Sequence, residues 1–318
     1  NQTTQQGIYI GDDATITNLT INNTQINETG ANSIEKHPLS DIYGINITNT
    51  TITNPQGHGI NLPDGHRSWG RDYILNNVQI NNTQVTGATQ TGIIITMNMG
   101  NSQNATITNT NATNNQQHGI YLQTRGTLNL ENNTLTHNGY NGGDAGFWGL
   151  YLIGDNNNNI TITPDNKFYR NRNGAFLQNV GQETNPINFD GTLIVDNAGY
   201  PIWIRNGRYI TITDAIFDDV TTQAATGFRI QRAITIEGSN NNITIQNTTI
   251  NQTAQQSIYL TGTLTNIIIN NTKIINSGSH AITKQDDYWT GCTINGINIT
   301  NTTITNPNGN GIQLTDGG

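Results

Sequence analysis

The chain runs to 318 residues, with only 11% charged and 33% apolar side chains and a formal net charge of −8. That balance excludes the highly charged composition of a disordered chain, while its wealth of Ile and Thr favours strands. No Lys/Arg-rich run is present to bind nucleic acid, and no stretch of about 18 apolar residues to span a bilayer, so neither is expected as a partner.

The opening Asn1 to Gln6 is polar throughout. It lacks the charged and apolar regions of a signal peptide, so either a leader has been removed or the chain begins inside a longer one. From Gly7 onward two phrases alternate. The first is a small residue followed by an alternating apolar strand, which we call the anchor: it starts at Gly7, Gly59, Gly119, Gly149, Gly174, Gly227, Ser257 and Gly311. The second is Thr-Ile-Thr or a relative, at Thr15 to Thr17, Ile45 to Thr48, Thr106 to Thr108, Thr161 to Thr163, Thr211 to Thr213, Ile243 to Ile245, Ile267 to Ile269 and Ile297 to Thr300.

From the second phrase to the next anchor the spacing is 13 residues in Ile47 to Ile60, Ile107 to Ile120, Ile245 to Ile258 and Ile299 to Ile312. The return distance varies. A constant half and a variable half are what a solenoid predicts, because stacked strands fix one part while outer loops lengthen freely. A coil of roughly 25 to 30 residues with two or three short strands is the arithmetic of a parallel β-helix. Period-two alternation turns Ile107 inward and Thr106 and Thr108 outward. The Asn after each second phrase, at Asn18, Asn49, Asn109, Asn247 and Asn301, is expected to turn the chain in left-handed backbone and to stack its amide on the next coil. The expected fold class is all-β: a single-stranded right-handed parallel β-helix of about 11–12 coils, on the order of 55 Å long at ~4.8 Å per coil.

These phrases resemble the right-handed parallel β-helix repeat family, the pectin-lyase-like solenoids, and within it the Asn/Thr-rich adhesin-like surface proteins. The resemblance spans the whole chain and is specific for fold only, since the family includes lyases, hydrolases, epimerases and inert stalks. A longer period is present too. Gly44 to Pro55 recurs without change at Gly296 to Pro307, and the segments opening at Asn1 and Asn22 recur, nearly unchanged, at Asn251 and Asn270. We therefore read residues 1–318 as one continuous solenoid, with 1–250 approximately one module and 251–318 the start of the next, matching 1–65.

The resemblance calls for comparison with the polygalacturonase pattern of Asp-Asp, Gly-His-Gly and Arg-x-Lys. Asp12-Asp13 and Gly57-His58-Gly59 are present, but no Arg-x-Lys follows, and the second copy has Gly309-Asn310-Gly311. These read as turn residues. His37, His66, His118, His137 and His280 lack metal-site spacing, so no metal or cofactor is expected. Cys292 reads as a free thiol, with a bond to a neighbouring chain as the sharper alternative. Asn18, Asn27, Asn46, Asn104, Asn159, Asn247 and Asn298 open glycosylation sequons.

Between Tyr140 and Arg232 the Asn/Thr text thins and aromatic and basic residues gather. Trp148, Tyr200, Trp203, Arg205 and Arg229 are the candidates for a sugar site, since a sugar ring stacks on an aromatic face and hydrogen-bonds at its edge. For catalysis the candidates are Asp218 and Asp219 as acid and base, with Arg229 stabilising charge. Adjacent residues on a strand face opposite ways, so that pair acts together only in a turn.

The expected function is structural and non-enzymatic: a segment of an extracellular or cell-surface fibre, stalk or sheath, with an adhesive role. Self-association, end to end or lateral, or continuation in a longer chain would cover its strand edges. The alternative is a polysaccharide-active lyase, hydrolase or epimerase, or a glycan-binding module.

Overall fold

The computed structural model describes residues 5–66, 72–97, 103–139, 146–155, 159–163, 165–184, 186–191, 193–195, 197, 199–218, 232–285 and 291–314. Among these no helix occurs, and so none long and apolar enough to cross a membrane. The chain winds as one parallel solenoid with three lines of strands.

The anchors form the longest line, twelve strands stacked from Ile8–Ile10 through Ile34–Lys36, Ile60–Leu62, Ile93–Met97, Ile120–Thr124, Leu150–Ile153, Ala175–Gln178 and Ile202–Arg205 to Ile312–Gln313. The Thr-Ile-Thr phrases form a second line, including Ile45–Thr48, Val78–Asn81, Asn104–Thr108 and Thr127–Glu131. A third line of eleven strands runs from Gln25–Asn27 and Thr51–Thr53 to Thr303–Thr305. Pairing is parallel and in register, Ile21 on Ile47 on Ile80 on Ile107, so isoleucine rests on isoleucine from coil to coil. Ile47, Ile52 and Ile60 have no exposed surface. Apolar residues need fill only these narrow columns, which is how a chain one-third apolar encloses a continuous core.

A single left-handed residue makes the corner between the second and third lines: Asn49, Asn109, Asn247 and Asn301 have φ of 48°, 50°, 50° and 48°. Asn tolerates this conformation better than other residues with a Cβ. Its amide then bonds along the rod. Asn82 Nδ2 donates to Asn49 Oδ1 at 2.7 Å, Asn132 to Asn109 at 2.7 Å and Asn271 to Asn247 at 2.9 Å. The repeated twelve residues fold alike in both places, each supplying a second-line strand, the corner and a third-line strand.

A second Asn ladder lies inside the rod, where sequence reasoning did not place one. Asn138, Asn171 and Asn197 are fully buried. Asn138 Oδ1 accepts the backbone N–H and the amide of Asn115, while its own amide donates to Ala112 O and Asn171 Oδ1, both at 2.9 Å. Asn171 N–H in turn reaches Asn197 Oδ1 at 2.9 Å. The turn after the third line therefore satisfies its backbone with side chains.

One register expectation falls outside the described residues and another is corrected. The anchor phrase at Gly227 lies outside the described residues; the strand paired with Ile202 begins at Ile234, after Ala233. Ala is small enough for the position, so the Gly used to find anchors is not required there. Thr15–Ile16 pairs with Asp41–Ile42 in a separate small sheet, and Leu19–Asn22 holds the second-line place. In later coils the first two lines fuse into 13-residue strands, Ile234–Gln246 and Ile258–Asn270. They bend at Gly238 and Gly262, with φ of 81° and 91°, and a Cβ on Gly262 would stand 2.6 Å from Gly238 O.

The two ladders differ in cost. Asn138→Ala strands several buried groups at ~1–3 kcal/mol each, so a loss of about 3 kcal/mol or more is expected in denaturant unfolding. Asn109→Gly keeps the left-handed corner and loses two exposed bonds, about 1 kcal/mol in total. Equal losses would refute the distinction.

Candidate functional site

The outward residue of each anchor strand stacks as strictly as the inward ones. Register places Tyr121, Tyr151, Phe176, Trp203, Thr235 and Tyr259 in one row on six successive coils. Tyr121 and Tyr151 stack at 5.3 Å, Tyr151 and Phe176 at 4.7 Å, and Phe176 meets Trp203 edge-on at 5.5 Å. A second row, two residues before each of these strands, adds His118, Trp148, Tyr200 and Arg232. Trp148 packs on Phe176 at 5.3 Å and on Trp203 at 6.0 Å, and Tyr200 on Trp203 at 4.7 Å. Trp148 is only 2% exposed and forms the floor; Tyr200 and Trp203 are half-buried.

Charge lines the other edge. Arg205 Nη2 donates to Glu237 Oε1 at 2.8 Å, and its guanidinium lies 4.8 Å from the centre of the Trp203 ring and 5.7 Å from that of Phe176. Arg232 sits 3.6 Å over Tyr259 and donates from Nε to Gln256 Oε1 at 2.9 Å. Burial pushes the Tyr200 phenol up, with nearby Arg232 opposing, so it keeps its proton. Four buried polar atoms here have no hydrogen-bond partner: Trp203 Nε1, Arg205 Nε, Thr235 Oγ1 and Thr261 Oγ1. Buried groups are ordinarily paired, so their concentration on three adjacent coils marks a place with unused bonding capacity.

Of the sequence candidates, Trp148, Tyr200, Trp203 and Arg205 come together in this cluster. Arg229 and Asp219 lie outside the described residues. Asp218 is on the third line of strands, not the anchor line, and accepts a bond from Asn251 Nδ2 at 2.9 Å. Its strand thus belongs to a different sheet from the cluster's. Sequence reasoning missed Tyr121, Tyr259 and Glu237 as members. Their signal was present, in the second and fourth residues of each anchor strand, once the strand at Ile234 is recognised.

Three of the histidines, His58, His118 and His280, have a structural explanation. Just before the anchor, the side chain accepts a backbone N–H from the next coil: Thr91 N–H to His58 Nδ1 at 3.1 Å, Trp148 N–H to His118 Nδ1 at 3.2 Å and Asn310 N–H to His280 Nδ1 at 2.8 Å. Asn32 and Asn173 do the same for His58 and Tyr200. An accepting Nδ1 requires a neutral ring. Burial lowers His118 to about 4, with His58 adding to the effect, and lowers His58 as well. Among the described residues no group of three or more His, Cys, Asp or Glu is placed to hold a metal. Cys292 is a buried thiol that reaches Leu260 O at 3.7 Å. Of the sequon residues, Asn18, Asn27, Asn104, Asn159, Asn247 and Asn298 are exposed and Asn46 is half-buried.

The profile of a family described as a right handed beta helix region matches residues 6–185 and 148–318. No curated protein sequence matches the chain. Among the solved structures that share its fold are two from enzymes. One is the Agl-KA catalytic domain, at 19% identity and a TM-score of 0.60, covering 95% of this chain and 58% of that one. The chain thus spans somewhat over half of that structure. The other is the A-module of the Azotobacter vinelandii mannuronan C-5 epimerase AlgE4, at 14% identity and a TM-score of 0.61, with both chains covered in full. The expectation that the chain is not an enzyme is corrected by these neighbours: one is a catalytic domain and the other a module of an epimerase, so this fold is one that enzymes use.

A pH prediction follows from His118. An unfolded imidazole takes its proton near pH 6.5 and the folded one near pH 4. Between these the unfolded chain binds more protons, so stability falls as pH drops through that window. His118→Asn keeps an acceptor, as at Asn173, without a titration. The variant's unfolding midpoint is expected to vary less between pH 6.5 and 4 than the wild type's; an unchanged slope would refute this.

Proposed function

Since the chain belongs to the right-handed β-helix family, we propose that it is a polysaccharide-active enzyme that holds its substrate along the outer face of the anchor line. The aromatic row carries this reading. A glycan laid along the rod meets a new coil every ~4.8 Å, and from Tyr121 to Trp203 each coil presents a ring. Sugar rings offer an apolar face for such stacking and hydroxyls for the polar edge. Tyr200, held protonated, is the side chain suited to donate a proton beside the Trp203 platform, and Arg205 to stabilise developing charge. The polysaccharide activity named for the mannuronan epimerase supports the substrate class.

We read the location as extracellular or cell-surface, where such polymers lie; the exposed sequons suit it. The recurrence of Gly44 to Pro55 at Gly296 to Pro307 supports a tandemly repeated solenoid carrying the site, through continuation in a longer chain or end-to-end or lateral association.

The test is a panel of acidic and neutral glycans, with new reducing ends, unsaturated products and altered sugar configuration followed together. Turnover of at least one is expected, with Trp203→Ala lowering it by roughly tenfold, the equivalent of one lost stacking contact. Asp218→Ala is expected to leave it near the wild-type level. Loss of turnover in Asp218→Ala alone would move the chemistry to the third line and refute the assignment.

A further inference from the structure

The polar edge of the aromatic row has one incompletely used cation. Arg205 and Glu237 hold matched positions on adjacent coils, joined by one contact, Nη2 to Oε1 at 2.8 Å. Arg205 Nε is buried and has no partner. A guanidinium presents Nε and Nη2 as a two-donor edge that fits both oxygens of a planar anion. Glu237, fixed on the neighbouring coil, fills half of that edge.

The surroundings prepare Arg205 for a better acceptor. Its guanidinium is held against Trp203 and Phe176, so little freedom is left to lose on binding. In register beside the pair stand Thr235, next to Trp203, and Thr261, next to Glu237. They are 1% and 4% exposed, and neither hydroxyl has a hydrogen-bond partner. Arg232, over Tyr259, brings a second guanidinium to the same face. The ion pair itself is partly exposed, 36% and 28% for its two side chains, and such pairs are weak enough to exchange.

We propose that Glu237 is an internal competitor for Arg205, displaced by the carboxylate or sulfate of an anionic sugar that then takes the Nε and Nη2 edge. This rests on the polysaccharide reading above and deepens it: Arg205 is the residue that selects anionic units, and Glu237 tunes how tightly they are held.

Titration calorimetry on the full chain tests this with three probes of matched length: an oligouronate, a sulfated oligoglucan and a neutral oligoglucan. Glu237→Gln is expected to bind an anionic probe roughly three- to tenfold more tightly than wild type, and Arg205→Gln at least tenfold more weakly. The neutral probe should change far less than the anionic ones in either variant. The probe that gains in Glu237→Gln identifies carboxylate or sulfate as the recognised group. In the double variant the gain should vanish, which separates competition for Arg205 from a general change in fold; thermal unfolding checks each variant. Weaker anionic binding in Glu237→Gln, an equal gain for the neutral probe, or a gain that survives without Arg205 would overturn the proposal. Should the neutral glucan bind the aromatic row while Glu237→Gln changes nothing, the competitor role falls and the polysaccharide site stands. Should no glycan bind or turn over, both fall.

Discussion

Each coil must bring the chain back onto three lines one strand spacing higher, and the constraint that makes this possible is the fixed corner between the second and third lines. One left-handed residue, most often Asn, turns the chain without adding length. Because the corner length is nearly constant, with one added residue between Ile162 and Lys167, the inward isoleucines meet their counterparts above and below, and successive strands exchange backbone hydrogen bonds along the stack. The exposed amide ladder runs along the same corner, so the residue that solves the conformational problem also links neighbouring coils.

The same constraint explains why a site can form on so plain a scaffold. Register governs outward side chains as strictly as inward ones, since both sit on the same strands. A change from Thr or Asn to an aromatic residue at one outward position costs the core nothing, and the same change on successive coils builds a contiguous surface. The row from Tyr121 to Tyr259 is such a run. At the positions two residues before the strand, His118 and Asn173 show the two roles combined: they close backbone bonds to the next coil while standing among the aromatic residues.

This division also accounts for what could be read from the residues alone. The corner Asn residues, the inward Ile of each second phrase and the constant 13-residue spacing all obey the rigid part of the coil, and each was legible. Trp148, Tyr200, Trp203 and Arg205 stood out because they break the Asn/Thr monotony. Glu237 and Tyr259 did not, because seeing them as neighbours requires pairing Ile202 with Ile234. Ala233 lacks the Gly signature that marks other anchors, while Gly227-Phe228-Arg229-Ile230 imitates it. The inner ladder of Asn138, Asn171 and Asn197 was hidden for another reason: in a chain so rich in Asn, a buried amide and an exposed one look the same until the coil is closed.

The stretch from each anchor to the next second-line strand obeys no such rule. Between Leu62 and Val78 it runs through a long excursion, between Thr124 and Thr127 it is nearly absent, and in Ile234–Gln246 it vanishes into a single bent strand. Insertions there leave the neighbouring coils in register, because both ends of the excursion are anchored by strands already committed to the stack. Segments of any length can thus be grafted beside the aromatic row without retuning the core, giving the scaffold a way to acquire new selectivity by lengthening the one part of each turn that bears no weight.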